Sequence, residues 1–198
     1  METKPSSFFG EFRLQIRTLI SLVVVLWAIE IVDWVIFQGR LDLWFGIHPR
    51  TVGGLVGIVC APFLHGDFAH LIANTVPLVS LGWLVMLRRT EDWVFVSIIA
   101  ALLGGLGTWL IGAPGSVHIG ASGVIFGYFG FLLLRGYFER SVVAIAFSVL
   151  VTVLYGSILW VVLPLQQGIS WEGHLCGFLG GVLAARLLAK PRRKPNNF

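Results

Sequence analysis

The sequence predicts an all-α membrane protein, a bundle of six transmembrane helices with a first loop that lies partly in the membrane. Three observations lead there. The chain is 57% hydrophobic and only 12% charged, with a mean hydropathy of +0.87, well outside the balance of a water-soluble domain. Six stretches, 16–37, 70–87, 92–112, 122–138, 142–163 and 173–189, approach the roughly 20 mostly apolar residues that a spanning helix needs. The basic residues, finally, sort by side.

An even number of helices puts both termini on one face. If that face is cytoplasmic, it holds Lys4, Arg13, Arg17, Arg88, Arg89, Arg135, Arg140, Arg186, Lys190, Arg192, Arg193 and Lys194, which is 12 of the 14 basic residues. Only Arg40 and Arg50 fall outside, as expected where Lys and Arg collect on the cytoplasmic side. The net charge of +4 therefore reads as a topology signal. The basic tail abuts a span, so nucleic-acid binding is not needed to explain it and no nucleic-acid partner is expected.

Taken in order, residues 1–15 form a cytoplasmic N-terminal segment, 16–189 the membrane domain and 190–198 a basic cytoplasmic tail. The first hydrophobic run is too long for a signal peptide and lacks a small-residue cleavage site, so it reads as a retained helix. Residues 38–69 follow as a loop too hydrophobic for a solvated linker. Pro49 with Gly53, Gly54 and Gly57 makes this loop a poor spanning helix and a fair interfacial one. It is expected to form short helices and turns packed on the bundle in the outer leaflet. The alternative is that 51–64 belongs to an overlong second span, since membrane helices tolerate glycine. Cys60 and Cys176 have no C-x-x-C spacing and read as buried small residues.

Polar groups inside a bilayer are costly, which makes each a site hypothesis. His70 and Asn74, at i and i+4, share one helix face near the outer start of the second span. They could donate hydrogen bonds to an oxyanion, or merely cap the helix. Ser122, in Gly120-Ala121-Ser122-Gly123, stands at the N-terminus of the fourth span, where backbone N–H groups and the helix dipole favour developing negative charge. That placement suits a nucleophile, although serine is also an ordinary N-cap. His174 opens the sixth span and is alone compatible with an interfacial histidine.

Joint placement changes the reading. All four residues fall toward the outer face under the topology set by Lys and Arg. Gly173, Gly177 and Gly181 recur every four residues on the sixth span, and Gly123, Gly127 and Gly130 line one side of the fourth. Small residues so spaced let membrane helices approach closely. Ser122 and His174 flank the two seams, so a hydrogen bond between them is geometrically reasonable.

The set H-x-x-x-N (His70, Asn74), G-x-S-G (Gly120, Ser122, Gly123) and G-H-x-x-G-x-x-x-G (Gly173, His174, Gly177, Gly181) on six spans resembles the rhomboid proteases, from about the first loop to Gly181. The stretch FLHGDFAHLIAN also looks like that family's entry to the second span. The resemblance implies a Ser–His dyad that cleaves transmembrane segments of other membrane proteins, with Ser122 as nucleophile and His174 as base. It also implies His70, Asn74 and the Ser122 backbone N–H as oxyanion donors, and a gate for lateral substrate entry that includes the fifth span. No cofactor or metal is expected, and the short basic ends look like those of a bacterial inner-membrane member. Oligomeric state and substrate identity are not read from the sequence.

The physical account agrees, because a serine hydroxyl is a weak nucleophile until an adjacent base takes its proton. No carboxylate completes a triad. Glu30 and Asp33 read as partners of the first loop or as interfacial groups and not as catalysts, and Glu172 adjoins His174 without being aimed by that adjacency. Two departures stand out. Many members carry Tyr four residues after the serine, where this chain has Phe126, which keeps a ring to stack on His174 and loses a hydroxyl. The family's Trp-Arg pair in the first loop is here split into Trp44 and Arg50. His65 and His118, both near the site, read either as groups that support the site residues or, more simply, as interfacial groups, and water for hydrolysis is expected to enter through the Gly- and Pro-containing stretches at 112–120 and 164–170.

Two other functions fit the residues less well. An inactive relative that holds or sorts membrane clients has no need of the Ser–His pair. A transporter or metal-dependent enzyme using His48, His65, His70, His118 and His174 lacks H-E-x-x-H and any compact ligand cluster.

Overall fold

The computed structural model describes residues 8–163 and 168–189. The expected basic tail at 190–198, residues 1–7 of the N-terminal segment and residues 164–167 of the sixth-span approach lie outside them. Helix α1 (Phe8–Val32) runs on through a π-helical turn, Asp33–Phe37. The first loop then folds into α2 (Arg40–Phe45), a 3-10 turn, α3 (Gly57–Cys60) and a second 3-10 turn. After it come α4 (Phe68–Met86), α5 (Thr90–Ile111), α6 (Ser122–Glu139), α7 (Val142–Tyr155) with a 3-10 continuation to Val162, and α8 (Trp171–Leu188).

This is a helical membrane bundle. Four helices are long and apolar enough to cross a membrane: Phe9–Phe37, Phe68–Met86, Thr90–Ile111 and Val142–Trp160. Four of the six expected spans are thus long and apolar enough, and the other two expected spans fall on α6 and α8, which are less apolar. Their polar residues Ser122, Arg135 and Glu139 on α6 and Glu172 and His174 on α8 are buried or half-buried, while Arg186 near the end of α8 is exposed. Every residue of α6 from 124 to 132 is buried, which leaves this helix no lipid-facing side. By contrast α7 buries only Ala144 and Val151 and stands at the periphery.

The boundaries follow local chemistry. Asp67 caps α4 by accepting the His70 backbone N–H at 2.7 Å, and Ser141 caps α7 by accepting that of Ala144 at 3.1 Å, each satisfying a donor that the first turn leaves over. The first helix begins earlier than the expected 16, because Gln15 is buried and donates to the Met86 carbonyl at 3.2 Å. That bond holds the start of α1 against the α4–α5 turn, so residues assigned to a cytoplasmic segment are helical.

The first loop is a set of short helices packed on the bundle, and the break at Leu64 to Asp67 separates it from α4. An overlong second span is therefore not what forms. Its ties are specific. Ile47 and His118 exchange backbone hydrogen bonds at 2.9 and 3.0 Å, joining the loop to the segment before α6. Arg50 donates to the Leu110 carbonyl at 2.9 Å and Trp109 donates to the Thr51 carbonyl at 2.8 Å, so this arginine satisfies an end carbonyl of α5. Asp33 accepts the Leu41 N–H at 3.1 Å and ties α1 to α2.

At the opposite end Arg88 donates to the Leu188 carbonyl at 2.6 Å and pairs with Glu139 at 3.2 Å, while Arg135 pairs with Glu139 at 3.0 Å. Arg88 also approaches Asp92 at 3.3 Å as a charge contact without hydrogen-bond alignment. This network joins α4, α5, α6 and α8 at one end. It is partly buried, and removing one member would leave its partner charge uncompensated.

The core of the bundle is the α6–α8 seam, with α5 against both. A Cβ built on Gly177 would overlap the Gly123 carbonyl, and one on Gly181 the Gly127 carbonyl. One on Gly127 would meet both Ala100 and the Gly177 carbonyl. Side chains are thus excluded from the interface, and the two backbones touch. On α5, Gly104 faces Gly173 and Gly107 faces Cys176, a second small-residue seam that the sequence reading did not single out.

Two stability predictions follow. Gly181→Val forces these backbones apart, costs at least the ~1–3 kcal/mol typical of overpacking and lowers the melting temperature in detergent micelles. Gly53→Ala, with nothing within 4 Å of the added carbon, leaves that temperature unchanged. The second concerns Asp42, whose carboxyl is pushed up from its ordinary 3.8 to about 7, by burial first and then by the neighbouring Asp33 and Glu30. Between those values the folded state holds a proton that the unfolded state has released, so this group's stabilisation is complete below 3.8 and is lost as pH rises through about 7. Melting curves at pH 5 and 8 should show a drop in the parent that is smaller in Asp42→Asn.

Candidate active site

The site is built where three helices begin on the same end of the bundle. Gly120 delivers the chain into α6 with φ +109°, a left-handed value that favours glycine. Space demands glycine as well, because a Cβ there would sit 2.8 Å from the His70 ring. Ser122 is then the first residue of α6, in the turn whose N–H groups have no helical acceptor. On α8, His174 occupies the first turn, its N–H donating to the Ser170 carbonyl at 3.1 Å. The Ser122 hydroxyl and His174 Nε2 lie 2.9 Å apart and are hydrogen-bonded.

The imidazole is held from below. Phe126, one turn after Ser122 on the same face, stacks on His174 with ring centres 4.3 Å apart and planes 18° from parallel. Stacking needs no hydroxyl, so the ring alone supplies this support. Tyr128 points elsewhere, bonded to the Ser97 hydroxyl of α5 at 2.7 Å. His174 is 5% exposed, buried yet at the edge of an open cavity.

That cavity, of about 660 Å³, is lined by Ser122, His174, His70, Asn74, His118 and Phe126, among others. The four polar residues expected to converge are therefore on one wall. Asn74 spends one amide hydrogen on the His70 carbonyl at 3.1 Å, leaving its second for the cavity side, 3.8 Å from the position a Gly120 Cβ would take. A hydroxyl bonded to an imidazole, beside several N–H donors at a positive helix end, is an arrangement able to transfer a proton and to hold an oxyanion.

His65 and His118 stand behind and beside the site residues, one of the two readings open for them. His65 is 1% exposed and packs edge-on against the His70 ring, centres 5.1 Å apart. Its pKa is pushed down to about 4 by burial first and then by His70, opposed only by the Phe63 backbone, so it is a neutral wedge behind His70 at neutral pH. His118 lines the cavity next to Ser122. Ser116 donates its hydroxyl hydrogen to the Ala113 carbonyl at 2.6 Å, so the 2.6 Å bond to His118 is a donation from His118 Nε2–H to the Ser116 oxygen. Burial lowers the pKa of His118, partly offset by Glu172 and reinforced by His48. The spacing Ser116-x-His118 next to the G-x-S-G was the available signal, but only the backbone bridge to Ile47 turns His118 inward.

Glu172 is buried, and its field reaches His118. Asp33 serves the first loop as described, with Glu30 buried beside it. Among the described residues no three His, Cys, Asp or Glu side chains gather around a point fit for a metal ion.

Comparison with known proteins agrees with this geometry. Residues 52–191 match the family model of the Rhomboid domain. An uncharacterized protein of Mycobacterium tuberculosis is 44% identical over 185 residues, covering 89% of this chain and 76% of its own. RHOMBOID-like protein 5 of Arabidopsis thaliana is 31% identical over 146 residues, 68% of this chain and 45% of its own. Rhomboid-like protease 5 of Toxoplasma gondii is 27% identical over 146 residues, 68% of this chain and 16% of its own. With more than half of its length inside that domain and its helices arranged to bring Ser122 and His174 together, the chain belongs to the rhomboid family of intramembrane proteases.

Proposed function

We propose that this protein is an intramembrane serine endopeptidase that cleaves transmembrane segments of other membrane proteins through a Ser122–His174 dyad. The observation that carries this reading is the 2.9 Å contact between the Ser122 hydroxyl and His174 Nε2 at the mouth of an open cavity. In the first step the hydroxyl gives its proton to Nε2 as its oxygen attacks the scissile carbonyl. The Ser122 N–H, His70 and Asn74 hold the resulting oxyanion. Protonated His174 then gives its proton to the leaving amine, the C–N bond breaks and an acyl-enzyme remains. Water, deprotonated by His174, cleaves the ester and restores the hydroxyl.

Two features support the finer points. Phe126 fixes the imidazole plane by stacking, which serves the orientation that a triad acid provides elsewhere. The cavity reaches the protein's outer surface through polar groups, a route for the hydrolytic water. Helix α7 buries few residues and changes to 3-10 form after Tyr155, which suits a wall that moves to admit a helix from the bilayer. The full reading is a membrane domain at 16–189 with six spans and both termini in the cytoplasm, supported by the distribution of Lys and Arg, and a bacterial inner membrane as its location, supported by the resemblance of its short basic ends to those of bacterial members.

Ser122→Ala and His174→Ala, each in purified protein reconstituted with a model transmembrane substrate, should lower cleavage by about 10³-fold or more, and the double variant no further, because the pair acts as a unit. Full cleavage by Ser122→Ala overturns the assignment. Gly120→Ala pushes His70 off the site and should cost on the order of 10²-fold in turnover, as misplacement by about 1 Å does, while the detergent-solubilised protein keeps its melting temperature within a few degrees.

A further inference from the structure

Behind Ser122, on the side away from the open cavity, the structure holds a second hollow of about 320 Å³. Its floor is buried: Leu26, Leu78, Ala121, Val124 and Tyr128 are each at most 8% exposed. Its mouth is not, since Val59, Phe63, Ile98 and Leu102 are 38 to 66% exposed. The mouth therefore opens sideways between the first loop and α5, onto the apolar flank that a membrane protein gives to lipid. Of the polar groups on the hollow's lining residues, the Ser97 and Tyr128 hydroxyls bond to each other at 2.7 Å, the Ser97 hydroxyl also reaches the Trp93 carbonyl at 2.6 Å, and the buried Trp93 indole N–H is left as a single donor without an acceptor, fewer than the two to four partners a buried water needs.

Water is a poor occupant here, because a buried water needs two to four polar partners and apolar cavities stay dry or take hydrocarbon. Left empty, the lining would forfeit its dispersion contacts over the whole surface. The space suits about ten groups of methylene or water size, at roughly 30 Å³ each. Hydrocarbon is the solvent at the mouth and is continuous with it. We propose that this hollow is a binding site for one acyl chain of a bilayer phospholipid, inserted between α1, α5 and the first loop.

The site touches the catalytic region, and this part of the inference rests on the protease reading above. Ile58, Pro62, Ala101 and Val124 line both this hollow and a smaller one of about 40 Å³ that reaches Ser122, Gly120 and Gly123. A single layer of side chains thus separates the acyl chain from the pocket beside the nucleophile. Filling the hollow braces that layer and the start of α6. Emptying it or filling it with a bulkier chain changes the room next to Ser122.

The test uses full-length protein in liposomes of phosphatidylcholine carrying a photoreactive diazirine near the middle of one acyl chain. After irradiation, peptide mass spectrometry should find the lipid on the floor residues of α6, Ala121 to Val124, and not only on rim residues such as Ile98 and Leu102. Ala101→Phe, which fills the hollow, should lose the floor adduct and keep the rim adduct, and Ala101→Met should reduce it with less risk to folding. Adducts confined to the rim in the parent, or a floor adduct that survives both substitutions, overturn the proposal. So does exchange of the floor for a water-soluble carbene probe, or displacement of the lipid adduct by a transmembrane substrate peptide. None of these readouts needs proteolysis, so a failed lipid site and a failed protease assignment are told apart. Labelling of Ser122 by a fluorophosphonate, compared between short-chain and long-chain phosphatidylcholine, reads the coupling, and a rate independent of chain length removes that part of the inference.

Discussion

The structure depends on backbone meeting backbone between α6 and α8. Membrane helices gain little from hiding apolar surface from lipid, so their association rests on close packing. At Gly177 and Gly181 of α8 the carbonyls of Gly123 and Gly127 stand where side chains would otherwise be. That approach, which any larger residue would prevent, brings the first turns of the two helices near enough for a hydroxyl and an imidazole to bond. Through Gly104 and Gly107, α5 closes the third side. The Ser122–His174 contact is a consequence of this packing and not its cause.

Around that seam the polar groups are placed where the surrounding solvent changes. Ser122, His174 and His70 sit in first helical turns at one end, where unpaired N–H groups and the helix dipole are available. Arg88, Arg135, Glu139 and Asp92 sit at the other end and lock four helices together. Between them lies an almost wholly apolar interior, in which α6 is covered on all sides. The first loop, held by the Ile47–His118 bridge and by Arg50, roofs the site from the outside and positions the segment that carries Gly120. Rigid supports are thus concentrated at the reacting ends of the helices, and the 3-10 continuation of α7, the least buried helix, reaches the cavity through Ile158.

Ser122 lines both the open cavity and the small pocket, and the small pocket shares Ile58, Pro62, Ala101 and Val124 with the lipid-side hollow. The site is consequently wet on one flank and oily on the other. A protease in a membrane needs water for hydrolysis and hydrocarbon to accept its substrate, and this arrangement keeps the two apart by a single layer of side chains.

The sequence by itself determined the class of fold, because hydropathy and the sorting of Lys and Arg are properties of segments that the bilayer reads one at a time. It also made Ser122, His174, His70, Asn74 and Phe126 legible as one site, since helical periodicity and the glycine spacing put each on a definable face. Tertiary structure decided what depends on contacts between distant segments. The field of Glu172 reaches His118, Asp33 binds α2, and His65 and His118 back His70 and line the cavity, because the loop bridge to Ile47 and the burial around residue 65 have no periodic signature. The early start of α1 was equally hidden, as it rests on Gln15 reaching across to the α4–α5 turn. Hydropathy even ranks α6 and α8 as less membrane-like than their neighbours, for the physical reason that helices buried by other helices can carry the glycines and polar groups that lipid-facing helices cannot.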